Sequence, residues 1–184
     1  MNRKPETTPS KAARLTFTTA PENPPDLKGL TFVEQLLIWS MRLWLRQGPT
    51  GPSDLKMLKD AWRLARVSAI FVEFDSCMTL LSATALSPLR SGSLRQPTPT
   101  SDEIRMLAVL KAFQEGDSYQ AKHVLCARLP CTAVRIGGPA IETLARSLAK
   151  AGHRLPRRLW PLAEWDELGQ LTLESDRLSA ICAH

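Results

Sequence analysis

The chain is short of the features that mark several large protein classes. Its four cysteines are scattered through 184 residues, too few for a disulfide scaffold. Its nine glycines follow no collagen-like period. There is no Walker A loop, and Gly137-Gly138 is an isolated pair. The best candidate for a membrane span, Val67 to Leu86, carries Glu73 and Asp75 near its middle. A charged carboxylate costs about 2.5 kcal/mol or more at a bilayer centre, so no span is expected. Arg3 and Lys4 are followed by Thr, Pro and Ser, not by the apolar core of a secretory signal. The expected location is the cytoplasm, where thiols stay reduced. Internal repeats and hairpin signals are also missing.

What is present is a globular composition, 43% hydrophobic, in a length that suits one domain with tails. Charge is unevenly spread. Residues 100–158 hold ten basic and five acidic side chains, whereas residues 159–184 hold one and five. A basic body suits a polyanion or an acidic partner, the tail included. Residues 1–28 contain five of the fourteen prolines and little apolar surface, so the first 29 residues are read as a disordered arm. Residues 30–155 are read as a helical domain and 156–184 as an acidic tail carrying tryptophan.

Capping signals and apolar periodicity organise the domain. Thr31 with Glu34 fits a capping box and opens a helix running to Gln47. Its residues are apolar over most of the circumference, with Arg42 and Arg46 on the remaining polar strip. Ser53 is the expected cap of a second helix reaching about Thr84. Leu55, Leu58, Trp62, Ala65, Ala69 and Val72 form its stripe, and the β-branched and aromatic run Ile70–Phe74 allows a break. Pro88 to Pro99 reads as an irregular crossing. Thr100 with Glu103 opens a third helix that Gly116 ends, and Asp117 with Gln120 opens a fourth that stops before Pro130. A fifth is expected after Gly138-Pro139, with Ile141, Leu144, Ala145 and Leu148 inward and Gly152 at its end. The fold class is therefore all-α, an irregular bundle of about five helices.

Chemistry-bearing groups are sparse. His123, Cys126 and Cys131 have spacings that invite a zinc test, but a structural zinc site wants four ligands in close pairs. No family signature surrounds any Cys or His. Glu73 and Asp75 point about 200° apart on a helix and read as salt-bridge partners of Arg63 or Arg66. No catalytic, cofactor or metal residue is assigned, and the chain is read as no enzyme. Ile104–Leu129 has the outline of a helix-turn-helix, with Lys122, His123 and Arg128 on its second helix. Lys122, however, stands where that motif buries an apolar residue, and an ordinary helical hairpin is the preferred reading.

The first helix (Leu36-Leu37-Ile38-Trp39-Ser40-Met41-Arg42), the long second helix and the Thr100-Ser101-Asp102-Glu103 start resemble a group of small helical alphaproteobacterial proteins over about residues 31–155. Those proteins carry no assigned activity. The resemblance implies a helical fold and no site. The Cys-rich stretch that members have before the third helix is replaced here by Ser93 to Pro99.

The leading expectation is a cytoplasmic interaction or regulatory protein that binds a protein partner or itself. It would act through the apolar first helix and the acidic tail, with Trp39, Trp44, Trp160 and Trp165 as anchors. The alternative is a nucleic-acid-binding transcriptional regulator that uses Lys122, Arg128, Arg154, Arg157 and Arg158.

Overall fold

The structure is a computed structural model that describes residues 26–47 and 52–158. The Pro-rich arm, the Ser53 side chain, Trp160, Trp165 and the acidic tail lie outside the described residues. The regular structure described is all helical: α1 Phe32–Gln47, α2 Pro52–Leu64, α3 Phe71–Thr84, α4 Ser101–Glu115, α5 Ser118–Cys126 and α6 Cys131–Lys150. Single 3₁₀ turns stand at Leu27–Gly29 and Ser68–Ile70. α4 packs on α5 and α6, α3 on α6, and α1 on α2 and α4. No described helix is long and apolar enough to cross a membrane.

Three helix starts follow the sequence signals. Thr100 and Glu103 form a complete reciprocal box at α4. Asp117 accepts from the Gln120 amide at α5. At α1, Glu34 accepts from both the amide and the hydroxyl of Thr31, at 2.7 and 2.8 Å. Gly116 closes α4 at φ 81°, the left-handed conformation expected of that position.

Two boundaries differ from expectation. The long second helix is two helices, and the break falls earlier than the Ile70–Phe74 run. Arg66 adopts φ 60°, a left-handed conformation, and so ends α2 without a glycine. The turn changes the rotational register. Leu58, Trp62 and Ala65 are buried as the stripe requires, but Val72 is 69% exposed. The last helix begins at Cys131, with Pro139 inside it. An interior proline lacks one amide donor and crowds the preceding turn, at about 3 kcal/mol. The burial of Val134, Gly137, Ile141, Leu144 and Leu148 along one face outweighs that cost.

The core is one cluster. Trp62 is fully enclosed, 4.9 Å from Phe74 and 5.7 Å from Phe71 between ring centres, and its Nε1 donates to Ser40 Oγ at 2.9 Å. Gln114 of α4 holds the last described segment. Its Nε2 donates to the carbonyls of Ala145 and His153, and its Oε1 accepts from the Leu155 amide.

Candidate functional site

The most concentrated chemistry is at the start of α4, where the apolar environment holds a carboxylate pair, Asp102 and Glu103. Glu103 is required locally by the capping box, and its carboxylate also meets Arg42 of α1. Arg42 Nε donates to Oε1 at 2.8 Å and an Nη to Oε2 at 2.9 Å, with both side chains almost wholly buried. A buried ion pair survives only when its remaining donors and acceptors are also satisfied. Here they are. The other guanidinium hydrogens go to the carbonyls of Ser93, Gln96 and Thr98 at 2.7–3.0 Å. Glu103 further accepts from the Gly92 and Thr100 amides. Of the two arginines on the polar strip of α1, Arg42 thus turns inward, whereas Arg46 stays at the surface, paired with Asp54 of α2 at 2.7 Å.

Asp102 repeats the device on the neighbouring turn. It accepts from the Arg90 amide at 2.8 Å and from Arg128 at 2.9 Å, and Arg105 lies 3.2 Å away. The Leu86 amide donates to the Arg128 carbonyl at 2.9 Å. These bonds fix a Pro- and Ser-rich crossing that has no regular structure of its own.

The fixed crossing leaves an apolar pocket of about 40 Å³ beside it. Met41 and Leu45 of α1, Leu81 of α3, Leu89 of the crossing, Met106 and Val109 of α4, and Val124, Leu125 and Leu129 around the end of α5 line it. Arg90, Asp102, Arg105 and Arg128 complete the wall, three cations to one carboxylate. Arg128 Nε is buried and has no acceptor among the described residues. The sequence carries no signal for this pocket, because its walls come from five separate segments.

The expected anchors are distributed differently. Trp44 is buried, with Nε1 donating to Asp75 at 2.8 Å, so its indole belongs to the core and presents no surface. That bond also replaces the expected pairing of Asp75 with Arg63 or Arg66, since Arg63 pairs with Asp60. Trp39 is half-buried against the core. The first helix is therefore internal rather than an open apolar face, with Phe32 its exposed exception at 62%.

Among the basic candidates, Lys122, Arg154 and Arg157 are exposed. Arg128 is tied to Asp102, and Arg158 to Glu34 at 2.6 and 2.9 Å. Burial pushes the Glu34 carboxyl up, but bonds from Arg158 and Thr31 and the Arg158 charge hold it below its ordinary value. The Glu34 bond raises the Arg158 guanidinium in turn. Among the described residues no group of three or more His, Cys, Asp or Glu is placed to hold a metal ion.

Comparison with protein-family models, curated proteins and solved structures finds no match to this chain.

Proposed function

We propose that this chain is a non-enzymatic interaction protein whose pocket takes an aliphatic side chain from an acidic peptide. The observation that carries the reading is the pocket itself: nine apolar side chains bounded by three arginines and one aspartate. Size selects the occupant. An apolar cavity of roughly 150 Å³ takes up benzene, so about 40 Å³ suits the end of one aliphatic side chain better than an indole. The arginines favour carboxylates flanking that side chain. The Arg128 Nε donor adds to this preference, because an unmet buried donor costs about 1–3 kcal/mol. The chain has such a peptide of its own. Leu168, Leu171 and Leu173 stand among Glu167, Glu174 and Asp176.

The test is the anisotropy of a labelled peptide copying residues 159–184, titrated with the full chain. Saturable binding is expected. Arg90→Glu should weaken it, and so should replacing the three peptide leucines with serine. A full chain carrying those serines in its own tail should bind the peptide more tightly if the tail otherwise occupies the pocket in cis, and equally if it does not. Binding that ignores both the rim charge and the leucines would refute the reading, as would no binding.

A specific feature favours nucleic acid as a second reading. On the exposed side of α5, Tyr119 stacks on His123 at 6.5 Å, with Lys122 exposed beside them. Labelled DNA in the same assay should then bind with a steep loss of affinity as salt rises, and Lys122→Glu and Arg157→Glu should weaken it. Binding indifferent to salt would rule this reading out.

A further inference from the structure

Cys126 is the last residue of α5 and Cys131 the first of α6, and their Sγ atoms lie 3.9 Å apart. Neither is deeply buried, in contrast to Cys77, whose thiol burial pushes up to about 12. The turn between them is tight and anchored. The amides of Arg128 and Leu129 both donate to the Leu125 carbonyl at 2.9 Å, which folds the chain back between the two thiols. A disulfide needs Sγ atoms about 2.05 Å apart, so side-chain rotation has to close a gap of roughly 2 Å.

We propose that Cys126 and Cys131 are a dithiol that forms a reversible intramolecular disulfide by exchange with a low-molecular-weight disulfide of the glutathione type. This stands independently of the peptide-binding reading.

The geometry also orders the two steps. Cys131 opens a 20-residue helix whose N-cap, Pro130, supplies no side-chain acceptor to the first amides. Those amides and the helix dipole favour an anion at the Cys131 sulfur. Cys131, as thiolate, attacks one sulfur of the small disulfide. That S–S bond breaks, one small thiolate leaves, and a mixed disulfide forms on Cys131. Cys126, as thiolate, then attacks Cys131 Sγ and expels the second small thiolate. Two electrons pass from the pair to the small disulfide, and the two protons released by the protein thiols go to the departing thiolates. The product ring spans residues 126–131 and encloses Arg128 and Leu129, both of which line the pocket.

The test equilibrates the folded full chain with reduced and oxidised glutathione at graded ratios, quenches with acid and alkylates the remaining thiols. Trypsin cuts after Arg128, so peptides bearing Cys126 and Cys131 stay together only through a disulfide. The expected product is that linked pair, with an intact mass lower by two hydrogens and Cys77 still reduced. Cys126→Ser should instead accumulate a glutathione mixed disulfide on Cys131. Three results would overturn the proposal: persistent mixed disulfides on both cysteines of the unaltered chain, a disulfide that recruits Cys182 in place of one of them, or both thiols fully alkylated at every ratio. The decisive readout uses the unaltered chain, so it does not depend on the variant folding.

Discussion

Arg42 gives two parallel hydrogen bonds to Glu103, 61 positions later in the chain, and its other three go to carbonyls of the crossing between α3 and α4. Removing one partner leaves a buried charge uncompensated. Arg42→Met or Glu103→Leu should each destabilise the fold by about 3–5 kcal/mol in denaturant unfolding. Replacing both partners with apolar residues often restores stability elsewhere, but should not fully do so here, because the part-buried carbonyls of Ser93, Gln96 and Thr98 lose the donor that holds the crossing in place. Arg42→Lys should also fail to rescue, since an ammonium cannot reproduce the planar fork. Full recovery in the double variant would show that the crossing does not depend on the guanidinium.

Gly92 faces the same guanidinium. A Cβ there would stand 2.7 Å from an Arg42 Nη and 2.9 Å from Cζ, atoms that five hydrogen bonds prevent from moving. Gly92→Ala should cost about 1–3 kcal/mol in thermal or denaturant unfolding. At Gly137 the contact is nominally closer, 2.5 Å to a Leu80 methyl, but that methyl ends a flexible, half-buried side chain. Gly137→Ala should therefore cost less than Gly92→Ala despite the shorter distance, and the reverse order would contradict a pinned Arg42.

Arg66 holds φ 60° on the surface. The left-handed conformation costs an L-residue about 1–2 kcal/mol, and glycine avoids this at the price of a more flexible unfolded chain. Arg66→Gly should raise stability by about 0.5–1 kcal/mol in thermal melts. A drop would mean that the Arg66 side chain supports the turn.

The Glu34 carboxyl titrates below its ordinary value of 4.5 in the folded chain. Its contribution to stability is therefore present above that value and lost as pH falls through the lower folded-state value. Glu34→Gln should destabilise the chain by about 1–3 kcal/mol near neutral pH. The gap between variant and parent should shrink steadily below about pH 4.5, as measured by urea unfolding at a series of pH values. A gap that does not change with pH would assign the effect to packing rather than charge.

Legibility from sequence followed the range of the interaction. The starts at Thr31, Thr100 and Asp117 were readable because a cap and its partner are three residues apart. The α2–α3 break was displaced because an arginine, not a glycine, takes the left-handed position. The α6 start was hidden because Pro139 normally opens a helix, and only burial along the whole face keeps it inside one. The candidate site was the least legible. Glu103 shows its capping role locally, but its bond to Arg42 depends on tertiary placement, as do the pocket walls and the approach of Cys126 to Cys131 across a turn. The tryptophans misled for a related reason: an indole on a helix does not reveal whether its N–H meets water or Asp75.

The contact between Glu34 and Arg158 spans 124 positions and also brings Arg158 to the Gly29 carbonyl at 3.1 Å. Closing so long a loop costs about 2 kcal/mol more in chain entropy than closing one of ten residues. The bond forms with its native partners only when the helices between hold their places. It fastens the start of α1 to the 153–158 segment, which Gln114 of α4 holds from the other side through the His153 carbonyl and the Leu155 amide. Both ends of the described domain are thereby closed onto one another by groups that lie far apart in the sequence.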